Sequence, residues 1–148
     1  MRNCPLLFLL ILSCPYFGLF ADSKIVLPFK IGEKLEYDLS WGFFPVGEAT
    51  MEVHSLEKID GELCYLIRFS VRTNSFADNF YKVRTKVESF VSYDFRKSIR
   101  YRKVQEEGKT KRNILVDFDY KQNKAKYFQN GKLSMLTSIP GEVFDPLS

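Results

Sequence analysis

Asp60-Gly61-Glu62-Leu63-Cys64-Tyr65-Leu66-Ile67-Arg68-Phe69-Ser70-Val71-Arg72 is the stretch that decides the fold. Leu63, Tyr65, Ile67, Phe69 and Val71 fall on one side of an extended chain, and Arg68, Ser70 and Arg72 on the other. Successive side chains of a strand point to opposite faces, so this alternation reads as a half-buried β-strand. The Asp60-Gly61 pair ahead of it suits a tight hairpin turn, whose two central residues both take positive φ.

The same period runs in both directions. Toward the N-terminus, Gly47, Ala49, Met51 and Val53 alternate with Glu48, Thr50, Glu52 and His54. Beyond a break at Gly42 to Pro45, Leu35, Tyr37, Leu39 and Trp41 share a face opposite Glu36, Asp38 and Ser40, and those four are expected to be buried. Toward the C-terminus, Asn74 to Asn79 is a polar connection around Phe76. Tyr81, Val83, Thr85 and Val87 then oppose Lys82, Arg84, Lys86 and Glu88. Ser98 to Gln105 is a further strand, and Glu106-Glu107-Gly108 a turn. Ile114, Val116, Phe118 and Tyr120 face away from Asn113, Asp117 and Asp119, and Asn130-Gly131 marks a last hairpin. No long stretch has helical period. Strands joined by short hairpins pair antiparallel. The expected fold is therefore all-β: an antiparallel meander, apolar on one face, that curls into an open barrel or half-barrel to cover that face.

The two ends carry separate signals. Arg2, an uncharged run from Pro5 to Phe20 and then Ala21-Asp22 have the layout of a secretory signal peptide. The run is interrupted by Pro15 and Gly18 and falls short of the about 20 apolar residues that span a bilayer. Cleavage after Ala21 leaves one β domain over 22–148 and predicts an exported, periplasmic protein. The alternative is a lipoprotein signal, Ile11-Leu12-Ser13-Cys14, with the chain lipid-anchored through Cys14. Asp145-Pro146-Leu147-Ser148 reads as a helix start, Asp145 as N-cap and Pro146 at the first helical position. This predicts that the domain is incomplete at its C-terminus.

Chemistry-bearing residues are sparse. Removal of the signal takes Cys4 and Cys14 and leaves Cys64, which reads as a small buried hydrophobe. His54 is the only histidine and stands on the polar side of its strand with Glu48 and Glu52. A base oriented by a carboxylate needs such neighbours, yet a solvated strand residue has them too. Asp117 and Asp119 share a face, as a cation site or acid–base pair requires, but Lys111, Lys121 and Lys124 nearby point to a solubilising surface. One histidine and one thiol do not make a zinc site. No metal, no cofactor and no catalytic residue is assigned, and an enzyme centred on His54 is the minority reading.

Charge and aromatics are the stronger signals. Residues 22–62 carry a net charge of −5 and residues 63–112 a net of +8. Arg68, Arg72, Lys82, Arg84, Lys86, Arg100 and Arg102 lie on the polar faces of three successive strands and would form a basic patch if those strands are neighbours. Such a patch attracts anionic lipid or an acidic envelope protein. Export argues against nucleic acid. Tyr37, Trp41, Tyr65, Phe69 and Tyr81 fall on the opposite faces, where they line a pocket for an acyl chain or peptide or simply fill a core.

Several motifs recur in an order that resembles a known family. They are Phe29-x-x-Gly32-Glu33-x-Leu35-x-Tyr37-x-Leu39-x-Trp41, then Val46-Gly47-x-Ala49, Phe80-Tyr81-x-Val83, Glu88-Ser89-x-Val91 with Asp94, Glu106-Glu107-Gly108 and Phe118-Asp119. Together with the Asp145-Pro146-Leu147-Ser148 tail, this resembles the "domain of unknown function 3108" family over about residues 29–148. The resemblance implies an exported protein of a Gram-negative envelope and a further β-rich portion after the tail. It implies no activity, and no site residue is transferred from it. Three readings follow, in order of preference. The first is a non-catalytic binding or carrier module for an apolar ligand or envelope partner. The second is an assembly factor that uses the basic face, and the third is the His54 enzyme.

Overall fold

The computed structural model describes residues 29–148. The signal peptide expected over 1–21, with Cys4 and the Cys14 anchor, lies outside the described residues.

Eight strands run β1 (Lys34–Trp41), β2 (Phe44–Ile59), β3 (Glu62–Thr73), β4 (Val83–Ser92), β5 (Ser98–Glu107), β6 (Thr110–Asp119), β7 (Lys124–Gln129) and β8 (Lys132–Ser138). They form one antiparallel sheet in sequence order, each strand hydrogen-bonded to the next, and β1 does not close onto β8. The expected open meander is the fold. Its turns follow the local chemistry: Asp60 and Gly61 have φ of 51° and 91°, and Asn130 and Gly131 have 51° and 80°. These are the positive values that a two-residue hairpin of this hand needs. The polar connection at Asn74 to Asn79 holds a single helical turn, α1 (Ser75–Asp78), capped by the Asn74 carboxamide, which accepts from the Ala77 amide at 2.9 Å.

The register divides the side chains as the period-two reading requires. Met51 pairs with Phe69, Phe69 with Val87, and Val87 with Lys103. Leu35, Met51, Val53, Tyr65, Ile67, Phe69, Val87 and Val91 thus share an apolar face. Glu52 pairs with Arg68, Arg68 with Glu88 and Glu88 with Arg102, on a charged face. Glycine is required at 47, where a Cβ would stand 2.3 Å from the Arg72 carbonyl oxygen.

Burial corrects the expectation in two places. Leu35, Tyr37 and Trp41 were expected inside but are 48%, 47% and 78% exposed, and Leu39 is half-buried. They lie on the right face of the sheet, but β1 is its edge, and nothing among the described residues covers them. Phe69, likewise expected inside, is half-buried. Conversely, the middle of the sheet is buried on both faces at one end. Cys64, Leu66, Phe90 and Ile99 form a core on the charged side, with Ile59 and Tyr120 packed against it. On the apolar side the chain after β8 returns across β4 and β5. Its Val143 carbonyl accepts from the Ser98 amide at 2.9 Å. Asp145 fixes its end, accepting from the Ser89 hydroxyl at 2.5 Å and donating its amide to the Ser98 hydroxyl at 2.9 Å. Asp145 also accepts from the Leu147 amide at 2.8 Å, which is the capping geometry expected of it, on a turn rather than a helix within the described residues.

Candidate functional site

Among the described residues the apolar face is covered at one end only, and the space beside the cover is a cavity of about 390 Å³. Leu35, Met51, Val53 and Ile67 form its floor, from three adjacent strands. Phe29, Phe95 and Leu147 form its walls, with Glu33, Glu52 and Ser148 among its polar lining. Phe95 sits at φ 55°, in the left-handed region that a bulky side chain rarely adopts. Its ring is held by Phe29 at 4.9 Å and by Tyr65 at 5.2 Å between centroids. Tyr65 also stacks on Tyr93 at 5.5 Å. Burial, and then Tyr93, push the Tyr65 phenol above its ordinary value. The wall is thus an aromatic cluster that holds one residue in a strained conformation, and backbone strain of this kind gathers at ligand sites.

The aromatic residues singled out in the sequence are divided between two places. Tyr37, Tyr65 and Phe69 share the apolar face. Tyr65 supports the cavity wall through Phe95, but none of the three lines the cavity itself. Trp41 and Tyr81 lie outside the cavity: Trp41 ends β1 at the β1–β2 hairpin, and the Tyr81 ring lies against Gly108. The floor residues Leu35, Met51, Val53 and Ile67 were visible in the sequence as one apolar face, but nothing marked them as a site. Phe95 lies in a segment without periodicity, and Leu147 was read only as part of a helix start, so neither was marked as lining a site.

The basic residues do come together, on neighbouring strands, and every one meets an acid. Glu88 receives Lys86 at 2.8 Å, and Arg68 and Arg102 at 3.2 Å each. Arg72 meets Glu48 at 2.7 Å, Lys82 meets Glu106 at 3.2 Å, and Arg84 meets Asp78 at 2.6 Å. Arg100 pairs with Asp117. The face is a lattice of mixed sign, not a field of free positive charge. Burial works against the ionised form of Glu88, but the three cations around it prevail and hold its carboxyl below the ordinary value.

His54 stands at the bulge where β2 shifts register between Val53 and Ser55. Its Nε2 lies 3.1 Å from the Arg68 guanidinium and its Nδ1 3.2 Å from Glu52. His54 is thus held between a cation on one ring nitrogen and a carboxylate on the other. Asp117 is matched by Arg100, and Asp119 by Lys126 at 3.6 Å. Cys64 is fully buried, and burial, followed by Glu62, pushes its thiol up to about 11.

The model of the family described as "Protein of unknown function (DUF3108)" matches residues 36–148, and the chain belongs to that family. Comparison with curated proteins and with solved structures returned no match.

Proposed function

We propose that this member of the family is a non-catalytic exported envelope protein that binds an apolar ligand, a single acyl chain, on the open apolar face of its sheet. The observation that carries this reading is the cavity of about 390 Å³ floored by Leu35, Met51, Val53 and Ile67. Its volume falls within the roughly 300–1,000 Å³ of small-molecule sites, and its lining is mostly apolar with a few polar groups, as such sites are. From Leu35 on the floor, Tyr37 continues the same face beyond the cavity and is uncovered among the described residues, which leaves room for a long chain to lie along the sheet. Export is supported by the layout of residues 1–21. The basic-face alternative is less well supported, because each of its seven cations already has an acidic partner.

A fatty acid carrying an environment-sensitive fluorophore tests the proposal. Titration into the protein should give a saturable rise in emission that unlabelled fatty acid reverses. Met51→Arg places a charge on the cavity floor and should weaken binding at least tenfold. No saturable rise, or equal binding by the Met51→Arg variant, would overturn it.

A further inference from the structure

We infer that the end of the sheet built from the β1–β2 hairpin and α1 docks on a phospholipid bilayer, its aromatic side chains entering the interface and Arg72 meeting lipid phosphate. Residues 41–47, Trp41-Gly42-Phe43-Phe44-Pro45-Val46-Gly47, carry no charge. Phe43 is fully exposed, and Trp41, Phe44 and Phe80 are largely so. Phe44 stacks on Phe76 at 6.2 Å, and Phe76 meets Phe80 at 5.5 Å. Asn74 binds the two segments into one platform. Its side-chain amide donates to the Pro45 carbonyl at 2.6 Å, and its backbone amide to that of Val46 at 2.9 Å. Single exposed apolar residues are ordinary, but a contiguous exposed aromatic group marks a contact surface.

The charges beside this platform identify the occupant. A cavity of about 380 Å³ lies at its base, lined by Gly47, Glu48, Arg72, Thr73, Asn74 and Arg84. Arg72 and Arg84 stand directly opposite each other on β3 and β4, where like charges repel. Arg84 is engaged by Asp78, by the Thr73 hydroxyl and by the Val83 carbonyl. Among the described residues, Arg72 has only Glu48, and that pair is open to solvent on both sides. An exposed pair exchanges readily. A phosphate oxygen pair fits the planar guanidinium and would relieve the repulsion between the two arginines. A bilayer offers phosphate beside an apolar layer, and tryptophan and other amphipathic aromatics settle at that boundary. Free phosphate would leave the aromatics in water, and an apolar protein groove would leave Arg72 without an anion.

Trp41 is the only tryptophan of the chain, so its emission reports on this platform alone. The full chain is mixed with vesicles of phosphatidylcholine, with and without phosphatidylglycerol. Trp41 emission should move to shorter wavelength on both, more so with phosphatidylglycerol, and brominated lipid should quench it. Phe43→Ser combined with Phe80→Ser should lower vesicle partition at least tenfold without changing the melting temperature, since both side chains are exposed. Arg72→Gln should lower it severalfold. Unchanged Trp41 emission at low salt, or equal partition of the double variant and the parent, would overturn the inference. Equal partition of Arg72→Gln and the parent would overturn the phosphate contact. The inference does not rest on the acyl-chain reading. A chain that inserts Trp41 but takes up no fatty acid supports this inference and contradicts that reading, and the reverse result does the opposite.

Discussion

Glu88 carries more of the charged face than any other side chain, because it receives Lys86, Arg68 and Arg102 while itself buried. Its folded-state carboxyl titrates below the ordinary 4.5. Its contribution to stability is therefore complete above the unfolded-state value and is lost as pH falls through the lower, folded-state value. Glu88→Gln should cost about 1.5–3 kcal/mol at neutral pH, the worth of hydrogen bonds to charged groups. It should also flatten the loss of stability below about pH 4.5, as read by urea melts across that range. Thr85 presents the opposite case. Among the described residues, its buried hydroxyl has no partner, so Thr85→Val should raise stability by about 1 kcal/mol in the same melts. Gly47→Ala should cost about 1–3 kcal/mol, because the added methyl meets the Arg72 carbonyl and β2 must move away from β3. These positions differ in how far the sequence revealed them. Alternation placed Glu88 on the charged face. Its partner Arg68 lies twenty residues away, and only the β3–β4 register brings the two together. The net charge of residues 63–112 was legible from composition, but the pairing of its cations with acids across strands was not.

Among the elements, the hairpins were legible because Asp60-Gly61 and Asn130-Gly131 state their own backbone geometry. The faces of β2, β3, β4 and β6 were legible because a period of two admits one assignment. The exposure of β1 was not, since alternation reports which face a residue takes and not whether that face is covered. Burial on both faces of β3 did leave a sign. Leu63 to Ile67 is an unbroken apolar run, and Phe90 and Val91 are apolar neighbours, as expected where neither face meets water. The segment after β8 is held by side chains that no periodicity marks: Ser89, Ser98 and Asp145. Asp145→Ala should release it. Hydrogen exchange at the Leu147 amide, now donated to Asp145, should quicken toward that of an exposed peptide while the β3 and β4 amides keep their protection. Leu147 forms part of the cavity wall, so the same variant should also weaken fatty-acid binding.

At the scale of the whole molecule, an open antiparallel sheet must either cover its apolar face or use it. Here the Phe95 loop and the tail cover one end, and the floor beside them stays accessible. The aromatic platform stands at the β1–β2 hairpin, apart from that cavity. The central claim is that an acyl chain lies on this floor, and Met51 reports it most directly. The chain has methionines at 1, 51 and 135, of which Met51 lies on the cavity floor and Met135 on the edge strand β8. With methyl-labelled methionine, addition of fatty acid should shift the Met51 methyl resonance saturably and leave that of Met135 in place. A Met51 resonance that stays unmoved through saturating fatty acid would contradict the account.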